Sequence, residues 1–245
     1  MTRRSITRFK PRFLLVYPMA VWLFATAHTT ERQLHLGIVV IALGLFVRLW
    51  ANSHIGAVKV NAARGTAKIG RLVTTGPYAF VRHPLYFGTF VIGAGLFVIV
   101  GNPWLALVGL GFFLLVYGRK MQDEERLLRT ECGAAYDAYE RVVPRWLPTG
   151  RHYAAGHGAW SWRGIAASKE WKTVVWVAVT VIALYFREEL VQEHEPLFGA
   201  RWLKHLLILG VAVVLMALDG FFELRTRLTV RSLALASLAG AGQKR

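Results

Sequence analysis

Residues 84–118 read PLYFGTFVIGAGLFVIVGNPWLALVGLGFFLLVYG, two apolar runs separated by Gly101-Asn102-Pro103. This tripeptide marks a tight turn, and proline fits the first turn of the helix that follows. Neither run alternates polar and apolar residues as a half-buried strand would. The stretch therefore predicts a helical hairpin. Its glycines, which allow helices to pack closely in lipid, are Gly88, Gly93, Gly95, Gly109 and Gly111.

Further apolar blocks lie on both sides of this hairpin. Hydrophobic residues make up 55% of the 245 residues and charged residues 18%, whereas an ordinary soluble domain carries about 25% charged residues. A soluble protein would have too little polar surface to cover six such blocks. We therefore predict an all-α fold, a polytopic membrane helical bundle with about six transmembrane helices. The predicted spans are Phe13–His28, Leu34–Ala51, Pro84–Val100, Trp104–Gly118, Lys172–Phe186 and Trp202–Leu218.

The charges predict how these helices are oriented. The chain has 30 Lys and Arg against 14 Asp and Glu, for a net charge of +16. If both termini are cytoplasmic, nearly all basic residues fall on the cytoplasmic side, as the positive-inside rule requires. Topology and anionic membrane lipid then account for the surplus. We expect no nucleic-acid partner, because no basic–aromatic stripe or zinc-finger spacing is present. The expected location is the inner or cytoplasmic membrane, and the long polar segments in which an active site could lie would face the cytoplasm.

The first apolar block has a second interpretation as a signal peptide. Basic residues precede it, and Ala25-Thr26-Ala27 resembles a cleavage site. Cleavage would leave five spans and an external C-terminus, against the charge distribution. We therefore predict an uncleaved first helix.

The first polar motif, TTGPYAFVRHPLY, occupies residues 74–86 at the start of the third predicted span. Gly76-Pro77 predicts a turn, and Pro84 suits the first turn of a helix. The dipeptide Arg82-His83 then lies beside a helix N-terminus, where free N–H groups and the helix dipole attract anions. Tyr86 follows the histidine by three residues, so both side chains project from one helix face.

The second polar segment begins where the fourth predicted span ends. It reads DEERLL at 123–128, YDAYE at 136–140 and PRWLP at 144–148. Glu124 and Glu125 are ionisable groups at the membrane edge, where such groups are costly and indicate a function. Tyr136 and Tyr139 share one helix face. The alternative is a solvated helix whose carboxylates pair with arginines of the same helix, as in Glu125–Arg129.

Together the two segments resemble the isoprenylcysteine carboxyl methyltransferase and phospholipid methyltransferase superfamily. The shared pattern is Gly-Pro-Tyr, Arg-His-Pro-x-Tyr, a Gly-rich hairpin, Glu-Glu, Tyr-x-x-Tyr and Val-Pro-Arg-x-x-Pro. The resemblance covers residues 72–148. We therefore predict a four-span methyltransferase core at 1–148, and a linker with an added helix pair at 149–245. One departure is Cys132, where the family commonly has phenylalanine, and we interpret it as a packing residue.

The resemblance implies S-adenosylmethionine as methyl donor and a lipophilic or small-molecule acceptor. A lipophilic acceptor would reach the site from the bilayer. The residue chemistry agrees, because tyrosine faces suit the cation and the adenine, glutamates suit the ammonium group, and arginine with histidine suits the carboxylate. Methyl transfer needs orientation and electrostatics but no metal, and we predict no metal site. The expected catalytic residues are Arg82 and Glu125, and the expected cofactor-binding residues are Gly76, Pro77, Tyr78, His83, Pro84, Tyr86, Glu124, Tyr136 and Tyr139.

The shared motifs describe the donor and leave the acceptor open among a prenylcysteine carboxylate, a phospholipid amine and a small thiol. Arg-His-Pro-x-Tyr also occurs in membrane sterol reductases, so a nicotinamide-dependent reductase is an alternative, although the chain has no dinucleotide fingerprint. A transporter or membrane scaffold is the non-enzymatic alternative. Transporters carry polar residues near the bilayer midplane, whereas the polar motifs here lie at the membrane edge. The sequence leaves the oligomeric state open.

Overall fold

The structure, a computed structural model, describes residue 22 and residues 25–55, 72–154, 156, 159–168, 170–192 and 202–242. Within these residues the secondary structure is helical throughout and contains no strand, which confirms the predicted all-α class. A 3₁₀ turn spans Gly76–Ala79, and a π-helical turn spans Glu188–Gln192. The α-helices are α1 (Glu31–Ile55), α2 (Pro84–Val100), α3 (Pro103–Cys132), α4 (Ala134–Val142), α5 (Trp162–Ser168), α6 (Trp171–Arg187) and α7 (Trp202–Gly242).

Three described helices are long and apolar enough to cross a membrane. They are α1, α3 and the Trp202–Arg225 part of α7, and α2 is a shorter apolar helix. Most of the predicted first span, Phe13–His28, lies outside the described residues. The count of six spans and the cytoplasmic position of both termini therefore stay predictions.

The turn between α2 and α3 has the geometry that its sequence predicts. Gly101 adopts a left-handed conformation with φ of 71°, which a residue with a side chain rarely adopts. The Asn102 side chain accepts a hydrogen bond of 3.0 Å from the backbone N–H of Leu105, and Pro103 occupies the first turn of α3. The predicted hairpin of α2 and α3 is confirmed.

Helix α3 continues well beyond the predicted end of the fourth span at Gly118. Its 30 residues correspond to about 45 Å of helix, against about 30 Å for the hydrocarbon core of a bilayer. The residues after Gly118 are mostly polar. This polar extension of α3 carries both candidate glutamates.

Helices α1 and α2 pack antiparallel through pairs of glycines spaced seven residues apart. A Cβ atom at Gly44 would lie 2.8 Å from the Gly88 carbonyl oxygen, and one at Gly95 would lie 2.8 Å from the Gly37 carbonyl oxygen. These distances confirm close packing at Gly88 and Gly95. Among the described residues, a Cβ atom at Gly93 or at Gly111 would meet nothing within 4 Å, so close packing at these two glycines stays a prediction.

The chain forms two compact units, Met1–Glu170 and Trp171–Arg245. In the second unit α6 and α7 are antiparallel and are joined by ion pairs near both ends. Lys172 Nζ lies 2.5 Å from Glu223 Oε2, and Lys204 Nζ lies 3.5 Å from Glu189 Oε1. The predicted domain boundary at 148 stays a prediction.

We predict that Gly44→Ala destabilises the protein by about 1–3 kcal/mol, because the new methyl group overpacks a contact between two helix backbones. Gly93→Ala is the matched control in the neighbouring helix. It should be neutral or slightly stabilising, since alanine is the better helix former. Thermal unfolding of the purified protein in detergent measures both, and equal destabilisation by the two substitutions would contradict the glycine-mediated packing.

Candidate functional site

Three segments distant in sequence converge on one carboxylate. Glu125 lies on the polar extension of α3, and its side chain is only 4% exposed. Arg82 and His83 come from the residues just before α2, and Arg145 comes from the loop after α4. A hydrogen bond of 2.9 Å from the Arg82 N–H to the Pro144 carbonyl oxygen joins two of these segments through their backbones. We call Arg82, His83, Glu125, Glu140 and Arg145 the charged cluster.

Glu125 receives hydrogen bonds from three basic side chains. Arg82 Nη1 lies 3.1 Å, His83 Nε2 3.1 Å and Arg145 Nε 2.9 Å from Glu125 Oε1. Arg145 also donates through Nη2 to Glu125 Oε2, so that this pair is bidentate. Because an ionised carboxylate only accepts, His83 must carry its proton on Nε2 to make this bond. Glu125 is therefore buried with its negative charge compensated.

Arg82 binds a second carboxylate as well. Its Nη1 donates a 2.6 Å hydrogen bond to Glu140 Oε1. Glu140 in turn pairs with Arg129 from the same face of α3, and Arg129 Nε lies 3.4 Å from Asp137 Oδ1. The alternative of a Glu125–Arg129 pair on a solvated helix is wrong, because Arg129 pairs with α4 and Glu125 is buried.

A second, smaller polar group lies beside the charged cluster. The Tyr86 hydroxyl donates a hydrogen bond to Glu124 Oε1, and His83 Nδ1 lies 3.8 Å from Glu124 Oε2. The rings of His83 and Tyr86 have centroids 5.7 Å apart. The predicted common face of these two residues is confirmed, and His83 connects the two adjacent glutamates.

The Gly-Pro-Tyr motif forms the 3₁₀ turn that closes over α4. Gly76 has a positive φ of 60°, and a Cβ atom there would lie 2.6 Å from the His54 ring, so glycine is required. The Tyr139 hydroxyl donates a 2.7 Å hydrogen bond to the Tyr78 carbonyl oxygen. This bond fixes the turn against the buried tyrosine face of α4, which consists of Tyr136 and Tyr139.

The tyrosines of the site stay neutral at physiological pH. Burial, assisted by the Glu125 charge, raises the pKa of Tyr136 to about 12, although Arg82 acts in the opposite direction. Burial also raises the pKa values of Tyr78 and Tyr139. The Tyr78 hydroxyl is buried and makes no hydrogen bond within the described part of the chain.

The structure thus places all eleven predicted site residues in the same region of the first unit. The charged cluster contains Arg82, His83 and Glu125, and the neighbouring groups contain Gly76, Pro77, Tyr78, Pro84, Tyr86, Glu124, Tyr136 and Tyr139. Beside them lies an open cavity of about 130 Å³, lined by Gln122, Glu125, Arg126, Arg129, Glu140 and Arg145.

The sequence reasoning missed a buried ion pair. Arg48, on the candidate spanning helix α1, binds Glu170 with Nε–Oε2 and Nη2–Oε1 distances of 2.9 and 2.7 Å. Its Nη1 also donates to the Leu85 carbonyl oxygen and to Thr89 Oγ1, at 3.1 and 2.5 Å. A lone arginine within an apolar helix was the available signal, because such residues are rarely left without a partner. The pair attaches the end of the first unit to α1 and α2.

No described group of three or more His, Cys, Asp or Glu side chains is arranged to hold a metal ion. The potential ligands near the site are carboxylates already bound to arginine and histidine. Cys132 packs against the tyrosine face of α4, in keeping with its interpretation as a packing residue.

The described chain is thus a helical protein with apolar spans and a cluster of paired charges beside their ends. Residues 32–133 match the family model of the phospholipid methyltransferases. Together with the relatives below, this match confirms the resemblance to the isoprenylcysteine carboxyl methyltransferase and phospholipid methyltransferase superfamily. The apolar helices and these relationships identify an integral membrane protein.

Three curated relatives illustrate the relationship. The protein-S-isoprenylcysteine O-methyltransferase of Schizosaccharomyces pombe is 36% identical over 39% of this chain and 38% of that protein. The nickel-cobalt-cadmium resistance protein NccN of Alcaligenes xylosoxydans xylosoxydans is 31% identical over 47% of this chain and 49% of its own length. The Dictyostelium discoideum protein-S-isoprenylcysteine O-methyltransferase is 28% identical over 52% of this chain and 54% of that protein. The alignments therefore span about half or less of each relative. No solved structure matches the chain.

We predict that Glu170→Gln lowers the free energy of unfolding by about 3–5 kcal/mol, because it leaves the Arg48 charge buried without its partner. Asp123→Asn is the control, since Asp123 and Arg126 form an exposed pair whose side chains are 64% and 75% exposed. Its effect should stay below about 1 kcal/mol. Denaturation in detergent micelles measures both, and the Arg48→Gln/Glu170→Gln double variant should recover part of the loss. Similar values for the two single variants would contradict the importance of the buried pair.

Proposed function

We propose that the protein is an S-adenosylmethionine-dependent membrane methyltransferase that acts on a lipophilic or small-molecule acceptor at the cytoplasmic membrane face. The observation that carries this proposal is the buried Glu125 carboxylate bound to Arg82 and His83. All three residues lie within the segment that matches the phospholipid methyltransferase family. The named relatives that act on isoprenylcysteine support methyl transfer as the reaction.

The chemistry of the site residues fits this donor. S-adenosylmethionine, when bound, supplies an electrophilic methyl group on a sulfonium, beside an amino-acid head and an adenine. Arg82 and His83 would hold the carboxylate of the head, and one of Glu124 and Glu125 its ammonium group. The buried Tyr78 hydroxyl, which lacks a hydrogen-bond partner in the described chain, offers a further donor.

We infer that the charged cluster opens to admit a ligand of this size. The adjacent cavity of about 130 Å³ is smaller than the roughly 300–1,000 Å³ of usual ligand pockets. Among the partners of Glu125, Arg145 is the most accessible, with a side chain that is 37% exposed against 13% for Arg82. We infer that Arg145 leaves Glu125 on ligand binding, while Arg82 and His83 stay in place.

The exposed apolar surface of α3 supports a lipophilic methyl acceptor. Leu107, Leu114 and Leu115 on α3 are 44–69% exposed, as expected of side chains that face lipid. A lipophilic acceptor could therefore approach along this surface. We propose that it is a prenylcysteine carboxylate, a phospholipid amine or a small thiol, and that 149–245 contributes to acceptor entry or self-association. The proposed location is the inner or cytoplasmic membrane.

The reductase and the transporter alternatives gain no support from the relatives reported above. A transporter carries polar residues near the bilayer midplane. In the described first unit Arg48 and Glu170 form a buried pair, but the charged cluster itself lies beside the helix ends. We therefore keep methyl transfer as the single proposed function.

The first test is equilibrium binding. We expect the full chain in lipid nanodiscs to show saturable calorimetric binding of S-adenosylmethionine and of its demethylated product, S-adenosylhomocysteine. NADPH under identical conditions is the control and should give no saturable heat, because the site lacks a dinucleotide-binding loop. A folded protein that binds NADPH but neither adenosyl compound would overturn the proposed function.

The second test removes single charges. Arg82→Ala and Glu125→Gln should each lower turnover at least tenfold, since a charge-assisted bond in a water-excluded site contributes roughly 2–4 kcal/mol. Asp123→Ala, on the exposed side of α3 and outside the cavity lining, should stay within about twofold of the wild type. Radiolabelled methyl transfer to a farnesylcysteine analogue measures turnover, and gel filtration checks folding. A folded Arg82→Ala protein with normal turnover would remove Arg82 from the site.

A further inference from the structure

Two tyrosine rings from neighbouring helices already have a cation above them. The ring centroids of Tyr86 on α2 and Tyr117 on α3 lie 5.1 Å apart at an interplanar angle of 55°. Lys120 Nζ lies 5.0 Å from the Tyr86 centroid and 5.8 Å from the Tyr117 centroid. Both distances fall within the roughly 6 Å over which an aromatic ring attracts a cation. Neither Tyr117 nor Lys120 was among the predicted site residues.

The surroundings of this ring pair favour a positive charge as well. The Tyr86 hydroxyl donates a hydrogen bond to Glu124 Oε1, and the Glu124 side chain is only 15% exposed. An electron-rich carboxyl oxygen of Glu124 thus lies at the edge of the rings. Phe113 stacks on Tyr117 with a centroid distance of 4.2 Å, which holds that ring in position. Lys120 itself is exposed and reaches the rings from one turn further along α3, so its ammonium group can withdraw into water.

We propose that Tyr86, Tyr117 and Glu124 form the binding site for the sulfonium cation of the methyl donor, and that the Lys120 ammonium group occupies this site when no donor is bound. The inference rests on the proposed function and assigns a role to Tyr117. Two positive charges a few ångströms apart repel each other strongly where water is excluded. Donor binding therefore requires Lys120 to leave the ring pair.

This site distinguishes the donor from its product. The donor carries a sulfonium, whereas the demethylated product carries a neutral thioether, which gains nothing from an aromatic pair beside a carboxylate. The site therefore binds the product more weakly than the donor, which favours release of the product after methyl transfer. The Lys120 ammonium group then returns to the rings.

Calorimetry with four full-length variants tests the assignment, using S-adenosylmethionine and S-adenosylhomocysteine as ligands. Tyr117→Leu should weaken donor binding about tenfold and leave product binding within threefold. Tyr117→Phe keeps the ring and should keep the wild-type ratio of the two affinities. Lys120→Met should tighten donor binding several-fold without a matching gain for the product. Phe90→Leu, which alters the same aromatic packing through Phe113, is the control and should leave the ratio unchanged.

Trimethylsulfonium ion is a second probe that does not depend on the adenosyl group. With fluorotyrosine incorporated, its titration should give a saturable ¹⁹F shift of Tyr117 in the wild type, and a stronger one in Lys120→Met. If the ion binds but S-adenosylmethionine does not, the cation site stands and the proposed methyltransferase function fails. If S-adenosylmethionine binds and Tyr117→Leu changes both adenosyl affinities equally or not at all, the sulfonium assignment fails and the function stands. If neither trimethylsulfonium nor S-adenosylmethionine binds, the cation site and the proposed function are both overturned.

Discussion

The structure of the first unit depends on neutralising one buried carboxylate. Glu125 is almost fully removed from solvent, and an isolated charge there would be strongly unfavourable. Its three partners belong to the segment before α2 and the loop after α4, so compensating this charge brings both segments against α3. The hydrogen bond from the Arg82 backbone to Pro144 and the bond from Tyr139 to the Tyr78 carbonyl oxygen follow from this convergence. The arrangement of the candidate site is therefore also the arrangement that stabilises this part of the protein.

The same requirement appears a second time at Arg48. There a cation on a spanning helix is compensated by Glu170, and the remaining guanidinium protons bind the Leu85 carbonyl oxygen and Thr89. The two buried charges lie on different helices. Leu85 and Thr89 of α2 accept hydrogen bonds from Arg48, and the Arg82-His83 dipeptide that binds Glu125 directly precedes α2. Since α1 and α2 pack through glycines with almost no space between their backbones, small shifts of α2 would disturb both ion pairs. The segment before α2 and the helices α1 and α2 are thus mechanically connected within the first unit.

The charges of the site and its aromatic rings serve different parts of one ligand in the proposed function. Arginine and glutamate recognise groups with a full charge and a defined geometry. Tyrosine faces attract a cation without a hydrogen bond, which suits a sulfonium because it has no proton to donate. The division explains why the site holds carboxylates and tyrosines side by side. It also explains how removal of a methyl group can change affinity without any movement of the charged cluster.

Local patterns determined much of this protein in advance. The apolar blocks predicted helices, Gly101-Asn102-Pro103 predicted the turn between α2 and α3, and the motif spacing indicated the superfamily, because each depends on residues close in sequence. Tertiary structure alone decided that Glu125 pairs with Arg145 rather than Arg129, that Glu170 reaches Arg48 across 122 residues, and that Tyr117 faces Tyr86. The helical period shows which side chains share a face, but not which other segment covers that face. Long-range partners are chosen by burial and charge compensation in three dimensions, and a linear pattern carries no distance between residues that only folding brings together.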